Sequence, residues 1–134
     1  MNTATVQSRY QKVQVLVSRG ATDGERSAAR AAAYRMWKRH TVLRRNVLGT
    51  PSTAGELRAT LENTWDHANN TFLVSFTELD WELRELDTDI LQGALDMVQA
   101  ELRAGWRAGN GTWKLETSVK KLNLLEHALE WVLR

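Results

Sequence analysis

Apolar residues recur along the chain at the spacing of amphipathic α-helices. After residue 56, ten apolar residues follow one another in steps of three or four positions, as one face of a helix requires. These residues are Leu57, Leu61, Trp65, Ala68, Phe72, Phe76, Leu79, Leu83, Leu86 and Ile90. Alternating apolar and polar residues, the pattern of a half-buried strand, are nearly absent. The pattern predicts an all-α protein.

The N-terminal part of the chain predicts two helices that pair as a helical hairpin. The first spans about residues 4–19, ends at Gly20 and has four apolar residues on one face: Val6, Tyr10, Val13 and Val17. The second begins at a capping box, in which the Thr22 hydroxyl accepts a hydrogen bond from the Glu25 backbone N–H and the glutamate side chain reaches back. It extends to about residue 40, and its alanine-rich centre lets a neighbouring helix approach closely.

Residues 49–51, Gly-Thr-Pro, form the one internal boundary that we predict. They separate a basic N-terminal hairpin (residues 1–49) from an acidic bundle of longer helices (residues 52–134). Residues 41–49 fit either a continuation of the second helix or a short separate helix. A second capping box, from Thr53 to Glu56, begins the next helix. Polar clusters predict helix breaks near residues 69–71 and 87–89, and residues 109–111 predict a turn before the last helix.

Together these elements predict a single domain, residues 1–134, built as a bundle of five to six mostly antiparallel helices. Six tryptophans and a hydrophobic fraction of 43% supply its core. The absence of cysteine excludes disulfides, thiolate metal ligands and a cysteine nucleophile. No segment has the pattern of a signal peptide or the apolar length of a membrane span, so we expect a cytoplasmic protein that does not bind membranes.

The small net charge of +2 hides a strong asymmetry along the chain. Residues 1–50 contain ten basic and two acidic residues, a net charge of +8, whereas residues 51–134 contain eight basic and fourteen acidic residues, a net charge of −6. Two explanations stay open. The basic half binds an external partner that carries phosphate or acidic groups, or it is matched by the acidic half of the same chain or of a second copy.

The sequence contains no recognisable catalytic or cofactor-binding motif. It lacks the nucleophile motifs Gly-x-Ser-x-Gly and Ser-x-x-Lys, a phosphate-binding glycine loop and a calcium-binding loop. None of the three histidines, His40, His67 and His127, is three or four residues from another, so they do not pair on a helix face as metal ligands. We therefore predict a protein that is not an enzyme and that has no catalytic residue, cofactor or metal.

Two features of the acidic half suggest a surface for a protein partner. Trp81 lies off the main apolar stripe, so it is either covered by another element and part of the core or exposed, and exposed aromatic residues are typical interface anchors. Four carboxylates fall on one helix face opposite the leucines: Glu78, Glu82, Glu85 and Asp89. This acidic face is either simply solvated or a docking surface for a basic partner.

A cluster of basic residues near the boundary suggests contact with nucleic acid. Four residues are candidates for non-specific phosphate binding: Lys38, Arg39, Arg44 and Arg45. A helix-turn-helix would need a second helix with polar, base-contacting residues at its start, and residues 41–45 do not provide one.

Residues 10–32 contain a lysine followed by a hydrophobic residue, a Leu-Val pair, a short break, a Glu-x-x-x-Ala motif and an alanine-rich helix. This pattern resembles a two-helix domain of unknown function that occurs in bacterial and bacteriophage proteins. The matching residues are Lys12, Val13, Leu16, Val17, Thr22, Glu25, Ala29 and Ala32. The resemblance covers only the N-terminal part of the chain. It implies a helical hairpin and a bacterial or phage setting, and it implies no catalytic residue.

These observations predict a non-enzymatic protein that binds another macromolecule, as a protein-interaction or regulatory factor of bacterial or phage origin. Its partner is another protein or a second copy of the chain in a homo-oligomer. The alternative is a nucleic-acid-binding protein that uses the basic N-terminal half.

Overall fold

A computed structural model describes residues 2–107 and 116–134, and the side chains of residues 105–118 are outside the description. The chain divides into two compact units, Met1–Arg45 and Asn46–Arg134. The described residues form six α-helices: α1 (Thr3–Arg19), α2 (Asp23–Arg39), α3 (Ala54–Asn63), α4 (Phe76–Leu83), α5 (Thr88–Arg107) and α6 (Glu116–Leu133). A two-stranded ribbon, β1 (Trp65–Asp66) and β2 (Thr71–Phe72), lies between α3 and α4. The predicted all-α helical bundle is confirmed, and its organisation as one domain stays a prediction.

The first unit is the predicted helical hairpin of α1 and α2, followed by a short 3₁₀ turn at Thr41–Leu43. Gly20 ends α1, and its backbone N–H donates to the Leu16 carbonyl at 2.9 Å. The capping box of α2 is confirmed, since the Glu25 N–H donates to the Thr22 hydroxyl and a Glu25 carboxylate oxygen accepts from the Ala21 N–H. The buried residues of this unit are Val6, Tyr10, Gly20, Ala29, Ala33, Trp37 and Leu43.

The second unit is built around one hydrophobic cluster to which α3, α4, α5 and α6 all contribute. Leu57, Leu79, Leu83, Leu125 and Leu129 have no exposed surface. Helix α5 packs against α3 and α6, and α4 packs against α6. The second capping box is also confirmed, because the Glu56 N–H donates to the Thr53 hydroxyl at the start of α3.

Helices α3 and α5 approach each other closely at Gly93. A Cβ atom added to Gly93 would lie 2.6 Å from the Cβ atom of Ala54. No side chain fits at this position while the two helices keep their separation, which explains a glycine in the interior of a helix.

The regular apolar stripe is divided among separate elements. The break expected near residues 69–71 is confirmed, but it is wider than predicted because α3 ends at Asn63 and α4 begins only at Phe76. The intervening ribbon, which pairs Trp65 with Phe72, was not predicted. The break near residues 87–89 is also confirmed, since α5 begins at Thr88. The turn predicted at residues 109–111 lies outside the described residues.

No helix in the described part of the chain has the length and apolar character needed to cross a membrane.

Candidate functional site

Trp81 is buried, with only 6% of its surface exposed, so the prediction of an exposed interface anchor is wrong. The physical reason is that α4 is a separate short helix whose buried residues are not confined to one stripe. Leu79, Trp81, Glu82 and Leu83 are all buried, and at 100° per residue they point to several sides of the helix. A position off the main stripe is therefore not an exposed position here.

The four carboxylates predicted to form one acidic helix face do not do so. Helix α4 ends at Leu83, which leaves Glu85 in the following turn and Asp89 in the first turn of α5. Glu82 is buried, Glu78 is half-buried, and the other two are exposed. The predicted acidic face is wrong as a continuous surface because the helix is interrupted in the middle of it.

Glu82 holds the segment before α3 through its buried carboxylate. One carboxylate oxygen, Oε1, accepts a hydrogen bond from the Leu48 backbone N–H at 3.1 Å. Burial raises the pKa of Glu82, while backbone hydrogen bonds from Leu48 and Val47 partly oppose that change. The residue thus has a structural role that the sequence pattern did not predict.

The four basic residues proposed to bind phosphate are not equivalent. Arg44 points back onto α2: its Nε donates to the Trp37 carbonyl at 3.0 Å and its Nη2 donates to the Lys38 carbonyl at 2.6 Å. Its guanidinium also lies 4.5 Å from the centre of the Trp37 ring. Arg44 therefore caps the C-terminus of α2, a role that was not predicted, and its phosphate contact stays a prediction. Lys38, Arg39 and Arg45 are exposed, and their phosphate contact stays a prediction.

A charged cluster joins α3, α5 and α6 in the second unit. Arg58 of α3 donates to Glu101 of α5, with Nη2 and Oε1 separated by 2.8 Å, and to Glu62 at 3.0 Å. Lys121 of α6 forms an ion pair with the same Glu62. Hydrogen bonding to Glu101 raises the pKa of Arg58. Burial alone would raise the pKa of Glu62, but the bonds from Lys121 and Arg58 outweigh it and lower that pKa.

This charged cluster lines a depression of about 490 Å³ together with Gly55, Ala59 and Met97. Its two cations and two carboxylates are paired with one another, so the cluster ties the three helices together. Among the described residues, no group of three or more histidine, cysteine, aspartate or glutamate side chains could hold a metal ion.

A continuous row of aromatic rings runs from the core of the second unit to its surface. We call it the aromatic row; its members are Trp65, Phe72, Phe76, His127 and Trp131. Successive ring centres are 5.3, 6.4, 5.6 and 6.4 Å apart. Trp65 is buried at one end, whereas Trp131 at the other end is 45% exposed.

The exposed end of the aromatic row has one neighbour on α6 and one just after that helix. His127 lies one helical turn before Trp131, with its ring tilted by 38°. Arg134 follows Trp131 by three residues, and its guanidinium lies 5.3 Å from the centre of the Trp131 ring. Tryptophan and arginine are both enriched among the residues that contribute most to binding at protein interfaces. Trp131 is therefore the candidate contact residue of this unit.

Trp131 is not among the residues predicted from the sequence to contact a partner. The spacing of His127, Trp131 and Arg134 at four and three residues was visible and places the three side chains on one side of a helix. The sequence does not show, however, which side of the helix faces water.

Comparisons with protein-family models, with curated proteins and with solved structures found no match. The resemblance of residues 10–32 to a two-helix domain stays a prediction.

Proposed function

We propose that this chain is a non-enzymatic protein-binding module that contacts its partner through Trp131 and Arg134. The observation that carries the proposal is the aromatic row, which ends in a tryptophan that is 45% exposed. Burial of this half-exposed aromatic ring against a partner is favourable, because it removes a large apolar surface from water.

A protein is a better match for this surface than a nucleic acid. Tryptophan and arginine side chains also stack on unpaired bases, but proteins that bind single strands combine such stacking with a positively charged groove. Residues 46–134 carry a net charge of −6, because residues 46–50 add no charge to the acidic half. A phosphate backbone would be repelled by this unit as a whole.

The second candidate function, nucleic-acid binding, rests on the first unit. Residues 1–45 carry a net charge of +8, and Lys38 and Arg39 are exposed at the end of α2. Phosphate binding would weaken steeply with salt. If duplex DNA and RNA at low salt cause no mobility shift, this second function is refuted.

A regulatory role, a bacterial or phage origin and a cytoplasmic location belong to the same proposal. They are supported by the N-terminal resemblance and by the absence of cysteine. If the partner is a second copy of the chain, the protein forms a homo-oligomer.

A comparative pull-down tests the proposal. The wild-type chain, Trp131→Ala and the control Leu73→Ala are immobilised and exposed to nuclease-treated bacterial lysate. Leu73 is a fair control because it is 50% exposed and belongs to the same unit. We expect the wild type and the control to retain the same protein, and Trp131→Ala to lose it. Equal retention by all three would refute the role of Trp131, and recovery of the chain alone would refute an external partner in favour of self-assembly.

A further inference from the structure

The face of α1 opposite its buried residues Val6 and Tyr10 combines exposed aliphatic and basic side chains. Val15 and Leu16 are 52% and 50% exposed. Lys12 lies one helical turn before these two residues, and Arg19 lies one turn after them. Residues three or four positions apart are neighbours on a helix, so all four side chains lie together on its surface. We call Lys12, Val15, Leu16 and Arg19 the α1 outer face.

The charges of the α1 outer face are not matched within the first unit. In the described residues, neither Lys12 nor Arg19 forms a hydrogen bond or an ion pair. The only two carboxylates of the unit are engaged elsewhere, since Asp23 pairs with Arg26 and Glu25 accepts from the Ala21 N–H at the start of α2. The face therefore combines exposed aliphatic surface with two available positive charges.

We propose that the α1 outer face docks an acidic amphipathic helix of a partner protein. Two aliphatic residues of that helix would cover Val15 and Leu16, and two carboxylates would pair with Lys12 and Arg19. The two cations are seven residues apart, about 10.5 Å along the helix axis at 1.5 Å per residue. A partner segment with the spacing Glu-x-x-Leu-Leu-x-x-Glu places its charges at the same distance on either side of its leucines. The net charge of +8 in residues 1–45 attracts such a segment from a distance.

The aliphatic residues favour a protein partner over a lipid surface or a nucleic acid. A helix that lies in a membrane interface buries a broad apolar face, whereas the only large apolar side chains exposed on α1 are Val15 and Leu16. A phosphate backbone would pair with Lys12 and Arg19 but would leave the two aliphatic side chains without an apolar contact. An acidic helix with two leucines satisfies both parts of the face. This inference concerns the first unit and does not depend on Trp131.

The test measures the binding of a fluorescent synthetic helical peptide, built around Glu-x-x-Leu-Leu-x-x-Glu, to the full chain by anisotropy. We expect Leu16→Ser and Lys12→Glu each to weaken binding about tenfold, because one removes an apolar contact and the other replaces attraction by repulsion. The matched control is Arg35→Glu, which makes the same charge change at an exposed position on α2. It is expected to change the affinity by no more than about twofold, because an exposed charge on another helix, outside the α1 outer face, is largely screened by water and salt. Circular dichroism verifies that every variant stays folded.

A charge-exchange experiment completes the test. A second peptide, in which the glutamate facing Lys12 is replaced by lysine, should bind Lys12→Glu more tightly than it binds the wild type. A scrambled peptide of the original composition should bind the wild type at least about tenfold more weakly than the patterned one, because its leucines and glutamates no longer match the face. The proposal is overturned if the patterned peptide does not bind, if Leu16→Ser has no effect, or if Arg35→Glu costs as much as Lys12→Glu. It is equally overturned if duplex DNA or anionic vesicles bind with the same dependence on Leu16.

Discussion

Replacing Gly93 by alanine should destabilise the chain, although alanine is the better helix former. The added Cβ atom would lie 2.6 Å from the Cβ atom of Ala54, whereas carbon atoms in contact prefer about 3.5–4.0 Å. Helices α3 and α5 must therefore separate by roughly 1 Å at this point. Neither Cβ atom can rotate away, because both are fixed to helical backbone. The steric cost of the close contact therefore opposes the stability that alanine gains over glycine inside a helix.

The net effect can be worked out from two opposing contributions. Overpacking costs about 1–3 kcal/mol, and a rigid contact between two helices belongs near the upper end of that range. The intrinsic gain of alanine over glycine inside a helix is about 1 kcal/mol. We therefore expect Gly93→Ala to lower the free energy of unfolding by about 1–2 kcal/mol. Urea unfolding followed by circular dichroism measures this change directly.

Gly55→Ala is the matched control for Gly93→Ala. An added Cβ atom at Gly55 would come no closer than 4.0 Å to the Thr53 hydroxyl, so only the helix preference remains and the variant should gain about 0.5–1 kcal/mol. The double variant with Gly93→Ala and Ala54→Gly moves the methyl group from one helix to the other and should recover most of the loss. A gain of stability in Gly93→Ala alone would refute the close helix contact.

Three further predictions follow from the buried and charged residues. Because burial raises the pKa of Glu82, its contribution to stability is fully present below the ordinary glutamate range and is lost as pH rises through the raised pKa. Glu82→Gln should therefore lose less stability than the wild type as the pH rises above the ordinary glutamate range, and parallel stability curves would contradict this. Lys121→Met should lower the free energy of unfolding in urea by only about 1 kcal/mol, because the Glu62 carboxylate is partly exposed and keeps Arg58 as its second partner. The same variant should raise the pKa of Glu62, measured by NMR titration, because it removes one of the two cations that lower it. Arg44→Ala should cost about 1 kcal/mol, and Arg39→Ala less than about 0.5 kcal/mol, because only the first removes hydrogen bonds to the end of α2. Equal losses in the two arginine variants would contradict the capping role.

The helix starts could be predicted because their causes are local. The capping boxes at Thr22 and Thr53 involve residues three positions apart, and the hydrogen bonds that define them need no other part of the fold. The same holds for Gly20, which ends α1. Local chemistry of this kind can be recognised directly in a sequence.

The ribbon between α3 and α4 was missed because its apolar spacing also fits a helix. Trp65 and Phe72 are seven residues apart, as on one helix face, but in the structure they face each other across two antiparallel strands. The turn between the strands is stabilised by Asp66, whose carboxylate accepts from the Ala68 N–H and the Asn69 side chain. Such side-chain hydrogen bonds compete with the helix for the same backbone groups.

The surface residues were the least predictable because exposure depends on which helices meet. Trp81 is covered although its position is off the apolar stripe, and Trp131 is exposed although the same helix buries Leu125 and Leu129. The acidic face failed because the helix is interrupted after Leu83, and within it Glu82 is buried against Leu48, thirty-four residues earlier. These outcomes depend on contacts between distant segments, which hydrophobic spacing does not encode.

The central claim, that the exposed end of the aromatic row contacts a partner protein, is tested most directly by site-specific photo-crosslinking. A photoreactive phenylalanine analogue replaces Trp131 in one sample and Leu73 in another, because both positions are about half exposed and belong to the same unit. Both chains are irradiated in bacterial lysate. Our account predicts a discrete protein adduct at position 131 and none at position 73. Adducts of equal yield at both positions, or none at position 131, would contradict it.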